Sequence, residues 1–223
     1  MRYFGQKQQD QWIVEEVFPG KRGGWFLDLA ASNGEFLNNT VVLERELGWT
    51  GLAIEPNPVS FELLKKNRTC QTCDICIDAD FGTVEFLPND ELGGIVADDT
   101  DNAPTVRASL IESWRAKAKT LTLRSAPLAH ILDQYHAPST IDFFSFDVEG
   151  AETRILRNFP FDRYRFMAIC IERPTPELNA LLLGGEYVFV RNRMFDTFYV
   201  HKSLPNLREL RREPFAQVPP KAW

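Results

Sequence analysis

The sequence predicts an α/β fold with a mostly parallel, doubly wound sheet, helices on both faces and an antiparallel hairpin at the C-terminal end. Three observations carry that prediction. Trp25-Phe-Leu-Asp-Leu-Ala-Ala-Ser-Asn-Gly34, a helical stripe and Gly51-Leu-Ala-Ile-Glu55 read in order as strand, tight turn, helix and second strand, the opening unit of such a sheet. Ile141-Asp-Phe-Phe-Ser-Phe-Asp147 is a nearly continuous apolar run, as a central parallel strand buried on both faces requires. Residues 187–191 and 197–201 then pair naturally as a terminal hairpin.

At 223 residues the chain is long enough for one sizeable core, so a single domain over 1–223 is expected, with 1–24 as an N-terminal cap, 88–119 as an insert or lid and 203–223 as a tail. A net charge of −6 argues against wholesale polyanion binding. No apolar run approaches the roughly 20 residues of a membrane span. The first residues also lack the apolar core of a secretory signal, so a cytoplasmic protein is expected.

Each element has its own signal. Trp12, Ile13, Val14 and Val17 make a helical face stopped by Pro19-Gly20. Phe36, Leu37, Val41, Leu43 and Leu47 form the next helical stripe, ending at Gly48. Pro56-Asn-Pro58 forces an extended turn before a helix carrying Phe61, Leu63 and Leu64. Residues 73–78 read as a third strand and 82–87 as a strand that follows it through the turn at Asp80-Phe81-Gly82. Periodicity weakens over 88–119, the mark of a functional loop, with Ile95 and Val96 as its anchors and the lowest order in the chain expected there. Beyond it come a strand at 120–124, a short helix at 128–135, a strand at 165–171 and a helix at 177–183 stopped by Gly184-Gly185.

Cys70-Gln-Thr-Cys73-Asp-Ile-Cys76 invites comparison with a metal site, but a closed tetrahedral site needs four convergent ligands and this spacing supplies three. With Cys170 in a separate apolar run, no metal is expected. The turn after the first strand decides the cofactor. A dinucleotide fold wants Gly-x-Gly-x-x-Gly, whereas Leu29-Ala-Ala-Ser-Asn-Gly34 has one Gly, and no Gly-Lys-Ser/Thr phosphate loop occurs. S-adenosylmethionine carries no phosphate and fits better: its amino-acid end meets backbone N–H groups of the turn while Glu55 accepts hydrogen bonds from the ribose hydroxyls. Asp28 holds the turn or reaches the methionine ammonium, and Asp78 either bonds the adenine amino group or serves only as a turn carboxylate.

Four blocks carry a resemblance to a known family. They are Gly5-Gln-Lys-Gln-Gln-Asp10; Phe26-Leu-Asp-Leu-Ala-Ala-Ser-Asn-Gly-Glu-Phe-Leu-Asn-Asn-Thr40; Gly48-Trp-Thr-Gly-Leu-Ala-Ile-Glu-Pro-Asn-Pro58 with Asn67-Arg68; and Ile141-Asp-Phe-Phe-Ser-Phe-Asp-Val-Glu-Gly-Ala-Glu152. Over most of residues 5 to 200 the chain resembles the FkbM-type family of class I methyltransferases. The resemblance implies a Rossmann-like methyltransferase sheet, S-adenosylmethionine as cofactor, and methyl transfer to a hydroxyl of a sugar, glycan or natural-product small molecule. Carried over residue by residue, it implies cofactor contacts from Asp28, Ala30, Ser32, Asn33, Gly34, Asn39, Thr40, Glu55, Pro56, Asn57, Asp78 and Asp147. One departure stands out. The family pattern Asp-x-Gly-Ala-Asn-Asp-Gly has become Asp28-Leu-Ala-Ala-Ser-Asn-Gly34, and an Ala at position 30 is strained by ~1 kcal/mol or more if that position takes positive φ.

For the reaction itself, Asp147 is the acid expected nearest the reacting centre and Glu149 the residue that orients substrate or cofactor, because the sheet delivers side chains to the crevice there. Glu152 reads as a first-turn acid favoured by the helix dipole. His201 is the histidine to test as a base, against a plain strand position. Arg107, Arg115, Lys117, Lys119, Arg124, Arg208, Arg211, Arg212 and Lys221 read as solvated faces; an RNA acceptor is the less favoured alternative, together with a non-catalytic binding module that keeps the fold.

Overall fold

The computed structural model describes residues 1–89, 92–103 and 119–221. Its main sheet has seven strands in the order β10-β11-β9-β8-β1-β2-β3. These are β1 (Trp25–Leu29), β2 (Thr50–Ile54), β3 (Gln71–Cys73), β8 (Thr140–Phe146), β9 (Arg165–Glu172), β10 (Tyr187–Arg193) and β11 (Asp196–His201). β3, β2, β1, β8 and β9 run parallel; β11 is antiparallel to β9 and forms the expected hairpin with β10. The chain winds outward from β1 through β2 to β3, then returns to β8 on the other side of β1. That reversal opens a crevice at the carboxyl ends of β1, β2 and β8.

Side-chain alternation assigns the two faces. Leu27, Leu29, Phe144 and Phe146 point into one core with α4 (Leu128–Gln134), α5 (Glu152–Leu156) and α6 (Pro176–Gly184). Phe26 and Phe143 point into the other, with Trp12 of α1 (Gln9–Trp12), the π-helical turn Ile13–Val17 and α2 (Val41–Leu47). α3 (Pro58–Asn67) lies over Ala31 and Ala53, which leave room for Leu64. Its start was legible: Asn57 caps it by accepting the Val59 N–H at 3.1 Å, with Pro58 at the first helical position.

Three boundaries differ from expectation. The stripe from Phe36 is not one helix: Phe36 and Leu37 are exposed and Leu37 has φ 52°, while α2 begins only at Val41 because Asn38 Oδ1 accepts the Thr40 and Val41 N–H groups, each at 2.9 Å. The strand expected over 73–78 splits into β3 and β4 (Cys76–Ile77), which belong to different sheets. β4 opens a second, four-stranded sheet, β4-β7-β5-β6, completed by β5 (Gly82–Leu87), β6 (Gly94–Ile95) and β7 (Leu121–Ala126). β7 therefore separates β4 from β5, although the turn at 80–82 is present. Of the 88–119 insert, residues 90–91 and 104–118 lie outside the described residues, so the expectation of low order and the basic residues Arg107, Arg115 and Lys117 do too. Ile95 does anchor the described part, buried against the core beside Phe86.

Candidate active site

Register builds the site. Leu29 is paired with both Ile54 and Phe146, and Phe146 with Ile171. The next residues, Ala30, Glu55, Asp147 and Glu172, therefore emerge side by side along the carboxyl edge, one strand spacing of ~4.8 Å apart. Asp196, paired with Glu172, extends the row onto β11. A cleft opens above β1, β2 and β8. Leu29, Ile54, Cys76, Ile77, Phe86, Ile95 and Ala151 give it apolar walls, and Ala30, Glu55, Pro56, Asn57, Asp147 and Glu149 line it as well.

Glu55 is held at the cleft's edge by two backbone donors, Ser32 N–H and Asn57 N–H, each at 2.8 Å. Burial raises its pKa to about 7 against those two hydrogen bonds, with Asp28 adding a little. The turn that supplies Ser32 is bent tightly: Ala30 has φ 65°, Ser32 φ 49° and Gly34 φ 78°. Gly34 is needed twice over, since a Cβ there would meet Leu64 and Arg68 at 2.6 and 2.7 Å.

At the other end stands an acidic group. Asp147 opens to the cleft and has Glu172 within hydrogen-bonding reach. The protein crowded around it raises its pKa well above the usual carboxylate range. The neighbouring Glu172 and Glu149 carboxylates raise it further. Glu149 is buried with φ 56°, and burial lifts its pKa to about 7 against the pull of Lys221, whose Nζ lies 2.6 Å away. Glu152 accepts the Val148 N–H at 2.9 Å and is raised by burial to about 8.

Several residues expected at the cofactor make hydrogen bonds within the frame, Asp28 in keeping with its alternative role of holding the turn. Asp28 accepts hydrogen bonds from Asn38 Nδ2 and Thr40 Oγ1, both at 2.7 Å, and lies 3.9 Å from the buried Arg68 guanidinium. Asn33 accepts the Glu35 and Phe36 N–H groups and so makes the turn. Asn39 donates to Ser145 Oγ at 2.9 Å. Asp78 is gripped by Arg154 through two bonds, at 2.8 and 3.2 Å. None of these four, nor Thr40, lines the cleft.

His201 requires a correction. It closes β11 beside Tyr187, at the opposite end of that strand from Asp196. Five residue steps of ~3.3 Å each separate it from Asp196 in the acidic row. Its ring is buried, its Nδ1 accepts the Ser203 N–H at 3.0 Å, and burial lowers its pKa. Of the clustered cysteines, Cys73 and Cys76 are buried in different sheets, Cys76 at the wall of the cleft, and burial pushes the Cys70 and Cys76 thiols up to about 12.

The chain also supplies site residues that were not anticipated. Glu172 ends β9 on the row already occupied by Asp147, so the same strand-end rule could have found it. Asp101 and Lys221 come from the insert and the tail, where the sequence carries no periodic signal. Among the described residues, Asp101, Glu149 and Glu172 place carboxylate oxygens within 4.8 Å of one another, with the Lys221 ammonium against the first two.

The site thus consists of an apolar slot at the topological switch point with a strand-end carboxylate at one end and an acidic group at the other, the place where such sheets bind ligands. The family description "Methyltransferase FkbM domain" matches residues 28–199, and the chain belongs to that family of class I, S-adenosylmethionine-dependent methyltransferases. A search of curated proteins finds no match. Two solved structures match the chain at low similarity. The METTL16 MTase domain (crystal form 2) is 12% identical with a TM-score of 0.40, over 86% of this chain and 64% of that one. The human methyltransferase 10 domain containing protein is 11% identical with a TM-score of 0.39, over 86% of this chain and 76% of that one. The chain thus spans less than two thirds of the length of the first of these.

The residues present suit the cofactor. Two buried carboxylates, Glu55 and Glu149, sit at opposite ends of an apolar slot with pKa values of about 7. Ribose hydroxyls can donate to Glu55, and the acidic end complements a sulfonium and an ammonium. Among the described residues no helix is long and apolar enough to cross a membrane.

Proposed function

We propose that this methyltransferase acts on a hydroxyl of a sugar, glycan or natural-product small molecule. Asp147 carries the reading: it is the carboxylate of the central strand that opens to the cleft, with a pKa held above the usual range. A neutral hydroxyl is a weak nucleophile and gains from a base of raised pKa, whereas an acceptor that is already anionic would be repelled by the acidic row. Bound in the cleft, S-adenosylmethionine supplies an electrophilic sulfonium methyl. Glu55 would hold the ribose, with Pro56 and Asn57 beside it. Ile54, Ile77 and Phe86 would exclude water from the adenine side. Asp147 would take up the proton that the acceptor hydroxyl loses, and Glu149 would orient the acceptor.

Alignment in such a site can contribute roughly 7–11 kcal/mol at the favourable extreme. General-base assistance adds ~10²- to 10⁴-fold. The test is methyl transfer from labelled S-adenosylmethionine to a panel of saccharides and polyols, with amines alongside. Asp147→Asn should lower turnover by about that factor while S-adenosylhomocysteine still binds. Full activity in that variant, or methylation of the amines alone, would overturn the assignment.

A further inference from the structure

Four carboxylates meet at the acidic end of the cleft, and one of the cations facing them comes from far along the chain. Lys221 Nζ lies 2.6 Å from Glu149 Oε2 and 3.6 Å from Asp101 Oδ2. Glu172 completes the group within 4.8 Å, Asp147 stands next to it, and Arg173 Nε is 3.6 Å from Glu172. Behind them Glu152 is tied to the Val148 N–H, and Asp196 accepts from Gln9 Nε2 and feels Lys7 at longer range.

Residues 213–221 form a strap that brings Lys221 to this place. The Glu213 N–H donates to Val190 O at 2.8 Å, and Asn192 Nδ2 donates to Ala216 O at 2.8 Å, fixing the strap to β10. Gln217 donates to Pro174 O at 2.7 Å and accepts from Asn179 at 2.9 Å; Arg173 donates to Pro219 O at 3.1 Å. Val218 is buried and Phe215 packs edge-on against Phe189. A segment held at so many points delivers its last side chain to one position.

We propose that Lys221 is a positioning residue of the active site: carried by the strap, its ammonium holds Glu149 as the carboxylate and leaves Asp147 as the group that gains or loses the proton. The reason is electrostatic. Carboxylates this close cannot all ionise, and the one nearest a cation ionises first. Lys221 selects Glu149, Arg173 faces Glu172, and the charges that act most on Asp147 among the described residues are the carboxylates of Glu172, Glu149 and Asp196. The inference rests on the reading of Asp147 as the base, and its test is kept separate from that reading.

The test is the titration of Glu149 by carbon NMR in full-length protein labelled at the glutamate carboxyls, the signal being identified by its loss in Glu149→Gln. In the native chain the midpoint should fall at about 7. Lys221→Met, with Lys221→Gln as a second neutral variant, should raise it by about one pH unit, a tenfold gain in proton affinity. Lys221→Arg should keep the native midpoint. Gln217→Ala, which loosens the strap and removes no charge, should shift it in the same direction by less. An unmoved midpoint in a folded neutral variant, or an arginine variant that behaves like methionine, would overturn the role of Lys221. An unmoved midpoint in Gln217→Ala would overturn delivery by the strap. Calorimetry of the native chain with S-adenosylhomocysteine separates the two readings: no binding defeats the cofactor site and leaves the NMR result standing, whereas binding with an unmoved midpoint defeats only Lys221.

Discussion

Replacing Ala30 by glycine should stabilise the protein. Ala30 lies at φ 65°, in the left-handed region that an L-residue occupies at a cost of ~1–2 kcal/mol. Its neighbours leave it no alternative. The Ala31 N–H donates to Ile54 O at 3.0 Å, the Ser32 N–H to Glu55, and the Gly34 N–H to Ala31 O at 2.9 Å, so the backbone is fixed on the far side of residue 30. Glycine removes the strain but adds freedom to the unfolded chain, which offsets ~0.5–1 kcal/mol. The net gain is about 0.5–1 kcal/mol, or ~1–4 °C in Tm for a chain of this size. Urea denaturation with an unchanged slope measures it, and Ala31→Gly is the control. Ala31 is buried and outside the left-handed region, so the same chemical change there should destabilise. If Ala30→Gly lost stability as Ala31→Gly does, the claim that the turn is strained at residue 30 would be refuted.

Other variants test the frame and the buried acids. Arg68 is fully buried and donates to Glu44 at 2.7 Å, Thr40 at 3.0 Å, Asn38 at 3.1 Å and Gly34 O at 3.3 Å. Arg68→Met strips Asp28 and Glu44 of their cation and should cost ~3–5 kcal/mol in chemical denaturation; a loss under ~1 kcal/mol would mean that the network does not hold the turn. Stability should also depend on pH in an unusual direction. Glu55, Glu149 and Asp196 titrate at about 7 and Glu152 at about 8, above the ordinary 4.5 and 3.8 of unfolded glutamate and aspartate. The folded protein therefore binds more protons than the unfolded chain, so this contribution is complete below about pH 4 and is lost as pH rises through 7 to 8. Melting of the ligand-free protein should drop between pH 6 and 8.5, and Glu152→Gln should blunt the fall; a flat or rising curve contradicts the buried-acid account.

Most of the fold was legible because its signals are local and periodic. The apolar run at 141–146 could only be a central strand, and Gly48 and Gly185 stop α2 and α6 as expected. What failed depends on tertiary pairing. Nothing in Cys73-Asp-Ile-Cys76 says that the chain leaves one sheet for another, and Asn38 overrides the helical stripe from Phe36 through hydrogen bonds that periodicity does not see. Glu55, Asp147 and Glu149, which line the cleft, were readable from their position just beyond strand ends. Asp78 was read with the same rule and Asp28 as a residue that holds the turn or reaches the methionine ammonium; each has an arginine partner, and partners 40 and 76 residues away leave no mark in the sequence around them. Lys221 was indistinguishable from the surface lysines, since its place depends on a strap that follows no secondary-structure period.

The claim on which the rest depends is that the cleft between Glu55 and Asp147 holds the cofactor. Calorimetric titration with S-adenosylmethionine, comparing the native chain with Glu55→Ala, tests it most directly. Two ribose hydrogen bonds to a carboxylate contribute ~1.5–3 kcal/mol each, so the account predicts micromolar binding to the native chain and a loss of about a hundredfold or more in the variant. Unchanged affinity in folded Glu55→Ala would contradict it.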